Sequence, residues 1–137
     1  MVKVMAGVAR KHPQSAYAGL KKSLQQEWAF VKRVTPEVGE AFGPVEEALR
    51  EIFFPALFEG LRKGVSYREI TRLPVNQAGL ALPDPIQTAP ENWTASCVIT
   101  GYLVAALRGQ VVFRTADHSA CLWGGRVAVQ HQGEKHA

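Results

Sequence analysis

Apolar residues recur along this chain at helical spacing, and prolines and glycines cut the pattern into pieces. Tyr17, Leu20, Leu24, Trp28 and Val31 are three or four apart, which places them on one face of a helix. Lys21, Lys22, Gln25 and Lys32 fall largely off that stripe, toward solvent. Thr35-Pro36 predicts the stop, because proline pushes the residue before it out of the helical region. A second stripe runs through Val45, Ala48, Leu49, Ile52, Phe53 and Ala56. It starts at Pro44, whose missing N–H costs nothing in a first turn, and Glu46 and Glu47 there suit the helix dipole. Pro55 predicts an end or a kink after Phe54, with Ala56 to Phe58 continuing in a new direction.

Beyond Gly60 and Gly64, Ser66-Tyr67-Arg68-Glu69 reads as a capping box opening a short helix that Pro74 closes. Leu73 to Pro85 is apolar yet rich in Pro and Gly, which predicts an ordered, extended connector packed on the core. Asp84 caps the next helix, with Pro85 at its first position. Ile86, Ala89, Trp93, Ser96, Cys97, Thr100, Val104 and Leu107 keep helical spacing to Gly109, with a kink expected at Pro90. This long, almost uncharged helix is the expected centre of the core. Thr115 is read as the cap of a last helix through Ala116, Ala120, Trp123 and Val127, weakened by Gly124-Gly125. The expected fold is mostly α: a compact single domain of five or six helices over residues 1–129, with one ordered Pro/Gly-rich connector. Residues 130–137 are expected to fray.

Composition adds little to that picture. The chain has 137 residues, 47% hydrophobic and 20% charged, within the globular range. No apolar run reaches the roughly 18 residues of a membrane span. Met1 to Arg10 is too short for a secretion signal, so an intracellular place, cytoplasmic or nuclear, is expected. Cys97 and Cys121 then read as reduced thiols. Charge is blocked rather than mixed. Residues 1–35 hold Lys3, Arg10, Lys11, Lys21, Lys22, Lys32 and Arg33 against Glu27 alone. Between Pro36 and Gly60 the sign inverts, with Glu37, Glu40, Glu46, Glu47, Glu51 and Glu59 against Arg50. Arg62, Lys63, Arg68 and Arg72 make the next stretch basic again. Two readings stay open: helices that attract one another across a solvated surface, or a basic face offered to a polyanion.

The motifs that carry chemistry are missing. Neither G-x-G-x-x-G nor G-x-x-x-x-G-K-[ST] is present, so nucleotide cofactors have no support. His118 and Cys121 could share a helix face, but a structural zinc site takes four ligands, so no metal is expected. Asp117 and His118 are adjacent and would point apart on a helix, and no triad or carboxylate pair meets the geometry of an active site. What survives is nucleic-acid contact. The candidates are Lys11, Lys21, Lys22, Lys32, Arg33, Arg62, Lys63, Arg68 and Arg72 for phosphates. Tyr17, Trp28 and Tyr67 could stack on bases or could belong to the core.

A family likeness rests on several phrases taken in order. Pro13-Gln14-Ser15-Ala16-Tyr17-Ala18-Gly19-Leu20, Leu24-Gln25-Gln26-Glu27-Trp28 and Val34-Thr35-Pro36 are similar to the region just after the palm of retrotransposon reverse transcriptases. Phe42 to Leu49 and Phe54 to Phe58 resemble the helices that follow. The sharpest match is Leu73 to Pro85, which looks like the family's Leu-Pro phrase leading through Gly-Gly-Leu-Gly-Ile to a proline, with Ala78 and Ala81 where glycine is usual. The helix after it carries Ala89, Trp93, Ala95 and Ser96, and Ala116-Asp117-His118 continues the likeness. The family's catalytic Tyr-x-Asp-Asp is absent, and the only aspartates are Asp84 and Asp117. The resemblance therefore implies a non-catalytic thumb or connector segment, with template–primer backbone and an upstream polymerase palm as its partners. Cut from a larger core, such a segment is expected to expose apolar surface and self-associate when isolated. The alternatives are a helical protein-interaction module, for which a clean monomer is expected, or a decayed fragment without selected function.

Overall fold

A computed structural model describes residues 1–59 and 67–124 of the chain. Among them are six helices and no strand. The first, α1 (Val2–Lys11), was not anticipated, although Val2, Met5, Ala6 and Ala9 trace a helical face. It ends at His12, whose backbone (φ −138°, ψ 72°) has left the helical region, where proline disfavours the residue before it. Pro13 then opens α2, which runs as Pro13–Gly19, a π-helical turn Leu20–Leu24, and Gln25–Val34. Thr35 is extended before Pro36 and stops it, as expected.

The third helix, α3, starts before Pro44 through a 3-10 turn, Gly39–Phe42, and continues as Gly43–Ala48. A π-helical turn, Leu49–Phe53, then precedes Phe54–Leu57. Pro55 therefore does not end α3. A π turn bonds each N–H five residues back instead of four and holds one extra residue, which makes room for a ring with no N–H to give. The count of six helices comes from α1, not from a break at Pro55.

After α4 (Tyr67–Arg72) the connector is folded back on itself rather than extended. It contains a 3-10 turn, Val75–Gln77, and returns hydrogen bonds from Ala81 N to Leu73 O and from Leu82 N to Thr71 O. Gly79 packs so closely on Leu73 that a Cβ there would overlap the Leu73 carbonyl. Helix α5 (Pro85–Leu107) begins as anticipated: the Asp84 carboxylate accepts from Ile86 N at 2.8 Å. Pro90 lies inside it without interrupting it. It closes on Gly109 at φ +70°, where Gly109 N reaches Ala106 O and Gln110 N reaches Ala105 O, a Schellman ending. Residues 115–124 form α6. Its first bond, from His118 N to Arg114 O, makes Arg114 the residue before the helix and puts Thr115 inside the first turn.

The core lies between α1, α2 and α3. Ala6 and Ala9 meet Leu20, Leu24, Leu49, Phe53, Phe54 and Ala56, with Leu82 of the connector closing one side. Phe53 is fully enclosed, and burying such a ring contributes roughly 2–3 kcal/mol. Helix α5 is not the centre that its apolar sequence suggested. Only Pro85 and Ala89 are buried, and every residue after Ala89 is half-buried or exposed. Its second half is held instead at its far end. The Tyr102 hydroxyl donates to Val112 O and accepts from Arg114 N, and its ring faces those of Phe113 and His118.

One buried ion pair ties α3 to α4. Arg68, 6% exposed, donates from Nε and Nη2 to the two Glu46 oxygens at 2.6 and 2.9 Å. Its Nη1 donates to Leu82 O at 2.6 Å, and the guanidinium lies over the Phe54 ring. The acidic and basic blocks of the sequence meet at this contact. Removing one partner of such a pair costs about 3–5 kcal/mol, because the other charge is left buried alone.

Candidate functional site

A groove of about 360 Å³ lies between α2 and the first turns of α5. Lys21, Gln25, Gln26, Trp28, Lys32 and Arg33 come to it from α2, and Thr88 and Asn92 from α5. Three of the anticipated phosphate contacts are thus brought together, and no carboxylate is among the groove's lining residues. The positive end of a helix of 23 residues opens beside them, with Asp84 on its first free N–H groups.

The π turn of α2 explains how a lysine enters this site. Its extra residue delays the apolar face by one position, so Lys32 takes the place that regular spacing assigns to Val31. Val31 is accordingly exposed, while Lys32 is only 5% exposed. The Lys32 ammonium donates to Thr88 Oγ1 at 2.8 Å, and that hydroxyl donates onward to Asp84 O. Burial, and then the neighbouring Arg33 charge, pull the Lys32 pKa below the ordinary lysine value; Asp84 and Glu91 pull the other way more weakly.

The remaining candidates divide plainly. Lys21 lines the groove, sits over the Tyr17 ring and donates to its hydroxyl at 3.1 Å. Arg33 lines it too and is exposed. Lys11, Lys22 and Arg72 are exposed but lie outside the groove lining. Arg68 is corrected: its fork is closed on Glu46 and Leu82, so it holds the fold together instead of facing a phosphate. Arg62 and Lys63 lie outside the described residues, as do Ser66 of the expected capping box, Gly125 and Val127 of the expected last helix, and the tail 130–137.

The aromatic candidates separate too. Tyr17 donates to Leu80 O at 2.7 Å and pins the connector to α2. Tyr67 stacks on Phe58 at 4.8 Å between ring centres. Trp28 alone of the three lines the groove, set edge-on to Phe42. Sequence reading missed the amides and the hydroxyl of the site. Gln25 was placed toward solvent, and nothing in the spacing ties Thr88 and Asn92 to a helix some sixty positions earlier.

Elsewhere, a second hollow of about 330 Å³ between α1 and α3 mixes Arg10 with Glu51 and Glu59. Among the described residues, no three His, Cys, Asp or Glu side chains gather as metal ligands. Among them too, no helix is long and apolar enough to cross a membrane. The chain matches no protein-family model, no curated protein and no solved structure.

Proposed function

We propose that this chain is a non-catalytic segment of a mobile-element reverse transcriptase whose α2–α5 groove holds nucleic-acid backbone. The observation that carries the reading is the gathering of Lys21, Lys32 and Arg33 in one groove with amide side chains and no lining carboxylate. Cations in this setting displace the counterions of a phosphate chain, and no lining carboxylate opposes them. The ordered likeness of Pro13 to Pro36 and Leu73 to Pro85 to the post-palm region supplies the family side of the reading. It makes the chain a holder of template–primer that lacks the family's Tyr-x-Asp-Asp motif.

The test is fluorescence anisotropy of a labelled RNA–DNA hybrid against the 137-residue chain over a series of salt concentrations. Binding is expected to weaken steeply with salt. Lys21→Glu with Arg33→Glu is expected to weaken it at least tenfold and to lower the salt slope by about 1 per cation removed. Binding that ignores salt, or that ignores both charge reversals, overturns the reading.

A second reading has its own observation. Val98, Val104, Leu107, Val111, Val112 and Phe113 leave an apolar surface exposed along α5 and the turn after it, which suits a protein contact.

A further inference from the structure

We propose that the α2–α5 groove takes a single unpaired nucleotide of a strand and not the side of a duplex. The inference rests on the backbone-holding reading above and specifies what that site recognises. Its first support is the shape of the groove. A space of about 360 Å³ is at the small end of pockets for small molecules. A space of that size suits one nucleotide-sized group better than the two strands of a duplex.

The second support is Lys32. The residue is nineteen-twentieths buried and lines the groove. Of its three N–H donors, one is spent on Thr88, and no other acceptor holds it among the described residues. An ammonium in that position is completed by an acceptor that enters, such as a phosphate or base oxygen. Surface cations alone would serve any polyanion; a recessed one selects a group that can be inserted.

The third support is the mixture of side chains. Arg33 and Lys21 both line the groove, where their charges can meet phosphates of the strand that carries the inserted nucleotide. Trp28 forms an apolar wall for a base. The Gln25 and Gln26 amides make no hydrogen bond within the described residues, and Asn92 spends only its Nδ2 on Thr88 O, at 2.7 Å. Unused amide donors and acceptors beside an aromatic ring match the exposed edge of an unstacked base. In a duplex that edge is already paired.

The experiment compares a short labelled single-stranded RNA, a blunt RNA–DNA hybrid of the same length, and a free mononucleotide as competitor. The single strand is expected to bind at least tenfold more tightly than the hybrid. Gln25→Ala with Gln26→Ala is expected to weaken the single strand about fivefold and leave the hybrid unchanged, whereas Arg33→Glu weakens both. Asn92→Ala, checked for folding by circular dichroism, gives an independent amide variant on α5 with the same expected split. Equal or tighter binding of the hybrid, with amide variants silent and salt dependence intact, overturns the inference and leaves the backbone reading standing. Competition by the mononucleotide at the strand's own concentration overturns the strand assignment in favour of a free-nucleotide site. Absence of salt-dependent binding to either nucleic acid removes the backbone reading and the inference together.

Discussion

Lys32 shows at the scale of one residue how a cation is kept where hydrophobic patterning wants an aliphatic side chain. Its burial costs solvation, and a single hydrogen bond to Thr88 offsets only part of that cost. The direction of its pKa fixes the pH dependence. In the folded chain Lys32 releases its proton at lower pH than in the unfolded chain, where the ordinary value is 10.5. Over that interval the unfolded state binds more protons, so stability rises with pH. Below the lowered pKa both states are protonated and the full burial cost is present. Lys32→Met is therefore expected to raise the unfolding midpoint at pH 7. Its advantage over the parent chain should shrink as the pH climbs toward 10.5. Thermal unfolding of the two chains across that range checks it; a constant difference at every pH contradicts it. The pairing of Arg68 with Glu46 follows the opposite logic, since both Glu46 oxygens accept from Arg68 and its Nη1 is taken up by Leu82 O and Thr71 Oγ1.

The connector between α4 and α5 is the element whose geometry is most tightly constrained. Ala78 and Ala81 sit at φ +60° and +50°, in the left-handed region that favours glycine. Each such L-residue costs on the order of 1–2 kcal/mol. Hydrogen bonds from Gly79, Ala81 and Leu82 back to Pro74, Leu73 and Thr71 hold the loop in that shape, and Leu82 anchors it in the core. At Gly79 no side chain fits against the Leu73 carbonyl. Gly79→Ala is expected to destabilise the chain by about 3 kcal/mol, in the range of severe overpacking. Urea unfolding measures this, and a loss below 1 kcal/mol would show that the loop can relax around a methyl group. The two π turns are the other element-level feature. Each rephases its helix by one residue, and in α2 that shift delivers Lys32 to the groove.

On the scale of the whole molecule, α1, α2 and α3 enclose the core, and the later turns of α5 form an arm that is half-buried or exposed. Helix α5 docks by its first turns on α2 and leaves Leu107 at 88% and Val112 at 81% exposure. Trp93 to Leu107 carries no charged residue, so nothing on this arm repels an apolar partner. The isolated chain is expected to self-associate as its concentration rises, because contiguous apolar surface of this kind is covered by contact. Sedimentation velocity should show a mass average that increases with concentration. Leu107→Glu with Val112→Glu should return it to the monomer without lowering the unfolding midpoint. A monomer at all concentrations would show that the arm is tolerated in water as it stands.

Local chemistry was legible in the amino-acid sequence because the forces involved act within a turn or two. Asp84-Pro85 starts α5, Thr35-Pro36 ends α2, Gly109 closes α5, and the stripe through Leu20, Leu24, Leu49, Phe53 and Ala56 supplies the core. The mostly helical single fold follows from these. The tertiary structure decided everything that depends on which helix meets which. A π turn is a packing response, invisible to a fixed period of 3.6 residues, so the burial of Lys32 in place of Val31 could not be read beforehand. Arg68 looked like a phosphate contact until the fold set Glu46, 22 positions earlier, against its guanidinium. Apolar content made α5 look central, but burial is settled by what lies beside a helix, and only its first turns reach the core. The groove is the sum of these outcomes: its cations were visible along the chain, and its amides, its hydroxyl and its depth came from bringing α2 against α5.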